Sequence, residues 1–282
     1  MIRIISDSTC DLSKELLERY HISILPLHVL LGDTEYEDGI SVTPDEIYAW
    51  CEKNKTTPKT SAPSMEQAAE MFRPYVEQGD ELICFSIAQT MSASGSVMRL
   101  AAQDLDAEDK ITVIDSANLS TGVGLLVIEA AIMAEAGCSS AEIIAKIEEL
   151  KPLVRASFVV DTLTYLYRGG RCSGVAALAG GALSLHPKIS VANGVMGAGK
   201  KYRGKIKKAI LSYVQDMEEE LLNAKEDRVF ITHSGCDEET IALVRECLER
   251  LHIFKEIHVT RAGSVISSHC GPGTLGVLFI SK

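Results

Sequence analysis

The sequence predicts an α/β protein with two domains, and three observations support this prediction. Short apolar runs alternate with amphipathic helical patterns along most of the chain, which is typical of a layered α/β fold with largely parallel strands. The chain has 282 residues, more than one average domain needs. A helical pattern ends at Lys151-Pro152 and a new apolar run follows it, so we expect domains over residues 1–150 and 151–282.

Apolar runs bounded by turn residues are the expected strands. Asn193-Gly194 lies between two short apolar segments of the second half, and this dipeptide is favoured in tight hairpins. We therefore expect a mostly parallel sheet in the N-terminal domain and a mixed sheet in the C-terminal domain. The expected strands are Ile2–Ser6, Ile22–Leu31, Glu81–Ile87, Ile111–Asp115, Ala156–Asp161, Lys188–Val191, Arg228–His233, Glu256–Ala262 and Leu275–Ile280.

Capping boxes mark the starts of several helices. Thr43-Pro-Asp-Glu46 has proline at the first helical position, and the segments Ser64–Gln67 and Ser139–Glu142 repeat the pattern of a hydroxyl followed by Glu or Gln three residues later. Ser94 and Ser96 flank Gly95 at the start of another helical pattern. We expect one of these two serines to cap the helix, since one cap is all that the helix start needs.

Composition excludes several classes of function. The formal net charge is −11 and the isoelectric point is about 5.2, which argues against nucleic acid as a partner, because phosphate binding depends on a basic surface. The eight cysteines form no CxxC pair, and no signal peptide or membrane span is visible, so we expect reduced thiols and a cytoplasmic protein. The histidines and cysteines lack metal-ligand spacing, so no metal site is expected.

Two glycine-rich motifs are weak indications of a nucleotide site. Gly271–Gly276 matches GxGxxG, but the chain ends at Lys282, before the acidic residue that a dinucleotide fingerprint requires. Gly194–Lys200 matches a P-loop as far as its lysine, yet Lys201 stands where the magnesium-binding Ser or Thr belongs. A phosphotransferase that uses Gly194–Lys200 remains the alternative function.

Small hydroxyl residues are concentrated in three loops that follow or interrupt apolar strands. In an α/β sheet such loops form the ligand crevice. Their hydroxyls and glycine amides, together with the imidazole of His269, would make a pocket rich in hydrogen-bond donors for an oxyanion. A hydrolase that uses Ser94 and His269 is a third, weaker interpretation. The three segments are Thr60–Ser64, Ser92–Ser96 and Ser267–Gly273.

Basic residues form a second feature of the otherwise acidic chain. Arg168 and Arg171 flank a Gly-Gly pair, and six of the nine residues in Lys200–Lys208 are basic. This run precedes an amphipathic helical pattern, where the helix dipole disfavours cations, so a purely structural role is a weak explanation. We expect a docking patch for an acidic or phosphate-bearing partner.

Six motifs follow one another along the chain: Ser6–Thr9, Thr60-Ser61, Pro63-Ser64, Ser94–Ser96, Tyr165–Arg171 and His269–Gly276. Together they resemble the DegV family of fatty-acid-binding proteins, of the FakB type, from the first strand to the C-terminus. The resemblance implies a two-domain DegV-like α/β fold whose acyl chain lies between the domains. It implies a carrier rather than an enzyme, with no cofactor and with a long-chain fatty acid such as hexadecanoate as its ligand.

The resemblance also implies roles for single residues. The carrier would present the carboxylate of its ligand to a separate fatty acid kinase, which phosphorylates the acid to an acyl phosphate, and transient contact with a membrane surface is compatible with this role. The carboxylate would be held by Thr60, Ser61, Ser94, Gly95 and His269. Supporting positions would be Asp7, Ser8, Ser96 and Gly271, and the kinase would dock on Arg168, Arg171 and Arg203.

Overall fold

The computed structural model of the chain describes residues 1–172 and 185–282. Its strands are β1 (Ile2–Asp7), β2 (Ser23–Leu25), β3 (His28–Leu31), β4 (Thr34–Glu37), β5 (Lys59–Ser61), β6 (Glu81–Ser86), β7 (Ile111–Asp115), β8 (Val154–Val159), β9 (Leu185–Ala192), β10 (Val195–Arg203), β11 (Ala224–Ser234), β12 (Glu256–Arg261) and β13 (Thr274–Ser281). Its helices are α1 (Lys14–Arg19), α2 (Pro44–Asn54), α3 (Met65–Glu77), α4 (Ser94–Asp104), α5 (Thr121–Glu135), α6 (Ser140–Leu150), α7 (Thr164–Gly169), α8 (Ile206–Asp216), α9 (Glu218–Leu222), α10 (Glu238–Glu249) and α11 (Ser264–Cys270).

Two sheets organise the two halves of the chain. The first has the order β2-β1-β6-β7, and all its strand pairs are parallel. The second has the order β10-β9-β8-β13-β11-β12 and is antiparallel except for the β11–β12 pair. The expected α/β fold, with a parallel N-terminal and a mixed C-terminal sheet, is confirmed. The sheets fall on either side of residue 150, and we retain 1–150 and 151–282 as the proposed domain bounds.

A third, small sheet differs from the sequence prediction. The expected single strand over Ile22–Leu31 is wrong, because the chain divides at Pro26 into β2, which joins the parallel sheet, and β3, which leaves it. Proline has no N–H for a sheet and restricts the residue before it, so a break there is favoured. β3 pairs antiparallel with β4 and β5, two short strands that the apolar pattern did not predict.

The Asn193-Gly194 hairpin is confirmed. Ala192 pairs with Val195 across it, and Asn193 and Gly194 have φ angles of 50° and 76°. Two successive positive φ angles are those of a type I′ turn, which Asn-Gly favours. Gly194–Lys200 is therefore a turn and an antiparallel strand without the helix that a P-loop requires. Gly271–Gly276 leads from a helix into a strand, the reverse of the dinucleotide-binding order.

The expected capping boxes are confirmed at the starts of α2, α3 and α6, where the hydroxyls of Thr43, Ser64 and Ser139 accept N3 backbone hydrogen bonds. The expectation that Ser94 or Ser96 caps α4 is wrong. The N-cap position of α4 is occupied by Ala93 without a side-chain cap, and Ser92 Oγ instead accepts the backbone N–H of Ser94 at 3.2 Å.

Helix α5 lies between the two sheets and joins their cores. Most of its side chains are buried, without a polar face, as expected for a helix covered on all sides. One apolar cluster runs from Phe85 of the parallel sheet, through Val123 of α5, to Phe158 and Leu278 of the mixed sheet. Within residues 1–172 and 185–282, no helix is long and apolar enough to cross a membrane.

Candidate functional site

A cavity of about 250 Å³ lies between the two halves of the chain. Its walls come from the loop after β6, the small sheet, α7, β10 and α11. Most of the lining side chains are apolar, and the polar ones are Thr60, Ser61, Ser92, Arg171 and His269. The apolar lining residues are Leu27, Ala62, Ile87, Met91, Ala93, Leu119, Leu166, Met196, Val265, Ile266 and Cys270. A cavity with apolar walls and a few polar groups is the usual form of a small-molecule site.

Thr60 and His269 meet at this cavity. Thr60 Oγ1 lies 2.8 Å from His269 Nε2, while Nδ1 on the other side of the ring is buried without a hydrogen-bond partner among the described residues. The backbone at Gly169 lies so close that a Cβ there would be 2.3 Å from Nδ1. Burial, and secondarily the charge of Arg171, lowers the pKa of His269 to about 4, so the imidazole is neutral near pH 7.

The neutral imidazole has one N–H, and the surroundings favour its position on Nε2. A buried N–H without a partner costs more than a bare ring nitrogen, and Nδ1 is the atom that lacks a partner. With the proton on Nε2, His269 donates to Thr60 Oγ1. The hydroxyl proton of Thr60 is then free to be donated to a ligand in the cavity.

Ser94 and Gly95 lie behind the cavity wall rather than in it. Ser94 is fully buried, and its Oγ has no hydrogen-bond partner of normal geometry among the described residues. This hydroxyl lies near the Asp7 carboxyl and lowers the pKa of Asp7. A Cβ on Gly95 would be 2.6 Å from Ser86 Oγ, so glycine is required where α4 packs against β6. From the Ser92–Ser96 segment, Ser92 and Ala93 line the cavity.

Asp7 is fully buried and holds two chain segments together. Its Oδ1 accepts hydrogen bonds from the backbone N–H and hydroxyl of Thr9, and its Oδ2 accepts the backbone N–H of Ile87 at 2.9 Å. Burial raises the pKa of this carboxyl despite these donors. Because Ile87 lines the cavity, Asp7 supports the cavity wall from behind.

The other expected supporting residues lie in different places. Ser8 Oγ donates to Asp38 at 2.8 Å, whereas Ser96 is exposed on α4. Gly271 ends α11 with a φ of 77°, and a Cβ there would be 2.5 Å from the Tyr165 ring. Gly271 is thus needed for its backbone conformation and for the close approach of Tyr165.

Only Arg171 of the three expected docking arginines lines the cavity, where its charge reaches His269. Arg168 is exposed and Nη1 lies 3.4 Å from the carbonyl oxygen of Lys55. Arg203 is exposed at the end of β10.

Parts of the Lys200–Lys208 run form ion pairs. Lys200 pairs with Asp216 at 2.5 Å, and Lys207 pairs with Glu239. The exposed basic residues of this run are Lys201, Arg203, Lys205 and Lys208, together with Lys200 of the first ion pair.

A second, narrow cavity of about 20 Å³ lies next to the first. Leu119, Ile266 and Cys270 line both, so they lie between the two spaces. The second cavity ends against Phe158 and Leu278 of the mixed sheet. Its lining also includes the polar residues Ser120, Thr232, His233, Ser234 and Thr274.

Two buried carboxylates beside the site were not among the expected residues. Asp11 and Asp38 accept backbone hydrogen bonds from Gly263 and Ser264 at the start of α11, the helix that carries His269. No local pattern distinguishes these residues from surface aspartates in the sequence. Their contacts with Gly263 and Ser264 exist only in the folded chain, because 252 and 226 positions separate the partners in sequence.

The arrangement does not favour hydrolase chemistry. A Ser–His nucleophile pair requires the serine hydroxyl within hydrogen-bond reach of the imidazole. His269 Nε2 is bonded to Thr60, and Ser94 Oγ has no hydrogen-bond partner in the described part of the chain. The described residues also contain no group of three His, Cys, Asp or Glu side chains suited to a metal ion.

Comparison with known proteins assigns the chain to a family. The family model described as "uncharacterised protein, DegV family" matches residues 1–282. A DegV domain-containing protein of Deinococcus radiodurans is 33% identical over 276 residues, which cover 98% of this chain and 97% of that protein.

Two solved structures are similar over the whole chain. The fatty-acid-binding DegV family protein of Thermus thermophilus is 33% identical with a TM-score of 0.91, and the stearic-acid-binding protein of Eubacterium ventriosum is 35% identical with a TM-score of 0.90. In each case the match covers 100% of this chain and 99% of the other. With a family match over all its residues, a curated relative and two such structures, this chain belongs to the DegV family.

Proposed function

We propose that the protein binds one long-chain fatty acid, such as hexadecanoate, in the cavity between its two halves and acts as a carrier. The observation that carries the proposal is the cavity itself, in which the Thr60–His269 pair faces walls that are mostly apolar. The relatives of known structure from Thermus thermophilus and Eubacterium ventriosum, described as binding fatty acid and stearic acid, support the same ligand class.

The polar end suits a carboxylate that has to remain reactive. Hydrogen-bond donors offset the cost of removing a carboxylate from water, which otherwise amounts to several kcal/mol. Thr60 would donate one such bond while His269 fixes the orientation of its hydroxyl, and Ser61 and Ser92 add hydroxyls nearby. These neutral donors leave the carboxylate nucleophilic, and Arg171 at the same end supplies a positive charge for an added phosphoryl group.

The apolar walls of the cavity suit the acyl tail. Each buried methylene contributes about 0.8 kcal/mol, so a long tail supplies most of the binding free energy and the polar groups mainly orient the head. Side chains from both halves of the chain, such as Met91 and Ile266, would surround the tail. A ligand enclosed in this way would offer only its polar end to a partner protein.

We propose a fatty acid kinase as that partner. It would phosphorylate the bound acid to an acyl phosphate, with the exposed arginines Arg168 and Arg203 as docking residues and Arg171 at the cavity. The carrier would itself transfer no phosphoryl group.

The ligand is tested by extraction of the purified protein into organic solvent and mass spectrometry. We expect about one long-chain fatty acid per chain, and a polar ligand or an empty cavity would contradict the proposal.

The carrier role is tested by incubating the loaded protein with ATP and magnesium, with and without a fatty acid kinase. Acyl phosphate should form only when the kinase is present, and ATP hydrolysis by the carrier alone would favour a phosphotransferase instead.

A further inference from the structure

The N-terminus of α11 is capped by side chains that lie far away in the sequence. The N-cap residue of this helix is Gly263, which has no side chain to accept a hydrogen bond. Asp11 Oδ1 accepts the backbone N–H of Gly263 at 2.8 Å, and Asp38 Oδ1 accepts that of Ser264 at 2.6 Å. The usual N-cap acceptor belongs to the helix itself, whereas these two are 252 and 226 positions away.

The two carboxyl groups are fully hydrogen-bonded, since each of their four oxygens accepts a hydrogen bond. Asp38 Oδ2 accepts the hydroxyl of Ser8 at 2.8 Å, and Asp11 Oδ2 accepts that of Ser120. Both side chains are buried, with Asp38 3% and Asp11 6% exposed. Burial raises the pKa of both carboxyl groups, to about 8 for Asp11, so their placement costs stability.

Gly263 shows how closely the carboxyl groups approach α11. A Cβ on this residue would be 3.1 Å from Asp38 Oδ1 and 3.2 Å from Asp11 Oδ1. Its φ of −64° is open to any residue, so the backbone conformation does not require glycine. The space above Gly263 is instead taken by the carboxyl groups.

Helix α11 links these carboxyl groups to the cavity. His269 follows Gly263 by six residues, roughly 9 Å along a helix axis. A helix of seven residues is not stable by itself, so its orientation depends on what holds its ends. Asp38 follows β4 and Thr60 lies on β5, so the small sheet contacts α11 at its start through Asp38 and near its end through Thr60.

We propose that Asp38 and Asp11 are positioning residues for the head-group end of the cavity: they hold the start of α11 and thereby set His269 against Thr60. The proposal deepens the function proposed above, because it assigns the orientation of the carboxylate-binding pair to two residues that do not line the cavity. Asp38 is the stronger of the two, since it directly follows β4 of the small sheet that also carries Thr60.

The test compares Asp38→Ala and Asp38→Asn with Asp237→Ala in the full chain. Asparagine keeps an acceptor for Ser264 and can donate to Ser8 Oγ, whereas alanine does neither. Asp237 is a matched control because it accepts the N–H of Thr240 at 2.8 Å as the N-cap of α10, a helix that contributes no residue to the cavity.

Two measurements separate positioning from folding. The first follows the titration of His269 by NMR of its imidazole nitrogens in delipidated protein. The second measures displacement of a fluorescent fatty acid by hexadecanoate. We expect Asp38→Ala to raise the pKa of His269 toward its ordinary 6.5 and to weaken hexadecanoate binding about tenfold, the size of one lost cap. Asp38→Asn should restore both, and Asp237→Ala should lower the melting temperature alone.

An unchanged His269 titration in folded Asp38→Ala, or equal changes in Asp237→Ala, would overturn the proposal. If Asp38→Ala does not fold, Gly263→Ala serves instead, because its Cβ displaces the carboxyl groups and should shift His269 in the same direction. Gly197→Ala is its control, at a glycine with no atom within 4 Å of the added carbon. If the wild-type protein fails to bind hexadecanoate while the His269 titration still depends on Asp38, the proposed ligand is wrong and the positioning role stands.

Discussion

Thr60 Oγ1 and His269 Nε2 lie 2.8 Å apart although 209 positions separate them in the sequence. Thr60 is on the short strand β5, and His269 is on the short helix α11 from the other half of the chain. Their hydrogen bond therefore joins the two halves at the polar end of the cavity. A carboxylate bound here as proposed would contact a pair that forms only when both halves are docked.

Thr60→Val is expected to damage the polar end while keeping the shape of the side chain. The change removes the acceptor for His269 Nε2–H, and a buried donor without a partner costs about 1–3 kcal/mol. We expect a loss of unfolding free energy in this range and a larger fractional loss of acyl phosphate formation than of fatty acid binding, because the tail dominates affinity. Thr60→Ser retains the hydroxyl and should restore both. Equal activity of Thr60→Val and wild type would contradict a role for this hydroxyl.

The buried His269 should make stability fall in acid. Its pKa is lowered from 6.5 to about 4 in the folded state, so between these values the unfolded chain binds more protons. Stability contributed by the neutral imidazole is present above pH 6.5 and is lost as the pH falls toward 4, by roughly 3 kcal/mol at most. Because His233 and His258 have lowered pKa values as well, the measurement is the difference between wild type and His269→Gln in melting temperature against pH. Parallel curves would show that His269 is not buried neutral.

Titration of Asp11 should change stability with pH in the opposite direction, so that stability falls as the pH rises. Burial first, and then the charges of Asp38 and Asp7, raise its pKa from 3.8 to about 8, so the folded state holds a proton that the unfolded chain releases. Stability therefore declines as the pH rises between these values. Asp11→Asn removes this titration and keeps an acceptor for Gly263. We expect its stability relative to wild type to improve steadily from pH 4 to pH 8 in chemical denaturation, and a constant difference would contradict the raised pKa.

The sequence indicated the hydroxyl and imidazole groups of the site, but not which of them share a surface. Thr60-Ser61 indicates a ligand contact because these residues have no capping role, and the glycines around His269 indicate one there. Ser92, rather than Ser94, lines the cavity because α4 begins at Ser94 and directs it inward toward Asp7. Whether Ser92 or Ser94 faces the cavity depends on where α4 begins and how it packs, and the local sequence pattern does not determine this.

Long-range contacts account for the other differences. β4 and β5 are short and polar, and they form strands because β3 offers both edges to them. Asp38 follows three residues after Glu35 in an acidic segment that looks exposed in sequence, yet its carboxyl is buried against α11. Burial of a charged residue is determined by its partners, and here they are Ser8, 30 positions away, and Ser264, 226 positions away.

Arg203→Ala is expected to weaken the complex with a fatty acid kinase without changing the bound lipid. Arg203 is exposed at the end of β10 and does not line the cavity, so the substitution leaves the fatty acid site intact. Exposed charges of this kind act mainly on association rate and salt dependence. We expect slower association in surface plasmon resonance, with a weaker dependence on salt. Arg73→Ala, an exposed arginine on α3, is the control, and equal effects of the two would exclude a specific dock at Arg203.

Leu119→Ala is expected to change which fatty acids the protein retains. Leu119, Ile266 and Cys270 lie between the main cavity and the narrow one, which Phe158 also lines. Removing the Leu119 side chain joins the two spaces, so we expect mass spectrometry of the extracted lipid to show a shift toward longer acyl chains. The change also costs about 2–5 kcal/mol of stability, because a buried leucine is truncated. Leu248→Ala, in the separate core beneath α10, provides a matched loss of stability without a change in the cavity. If both variants retain the wild-type distribution of chain lengths, the narrow cavity does not receive the end of the tail.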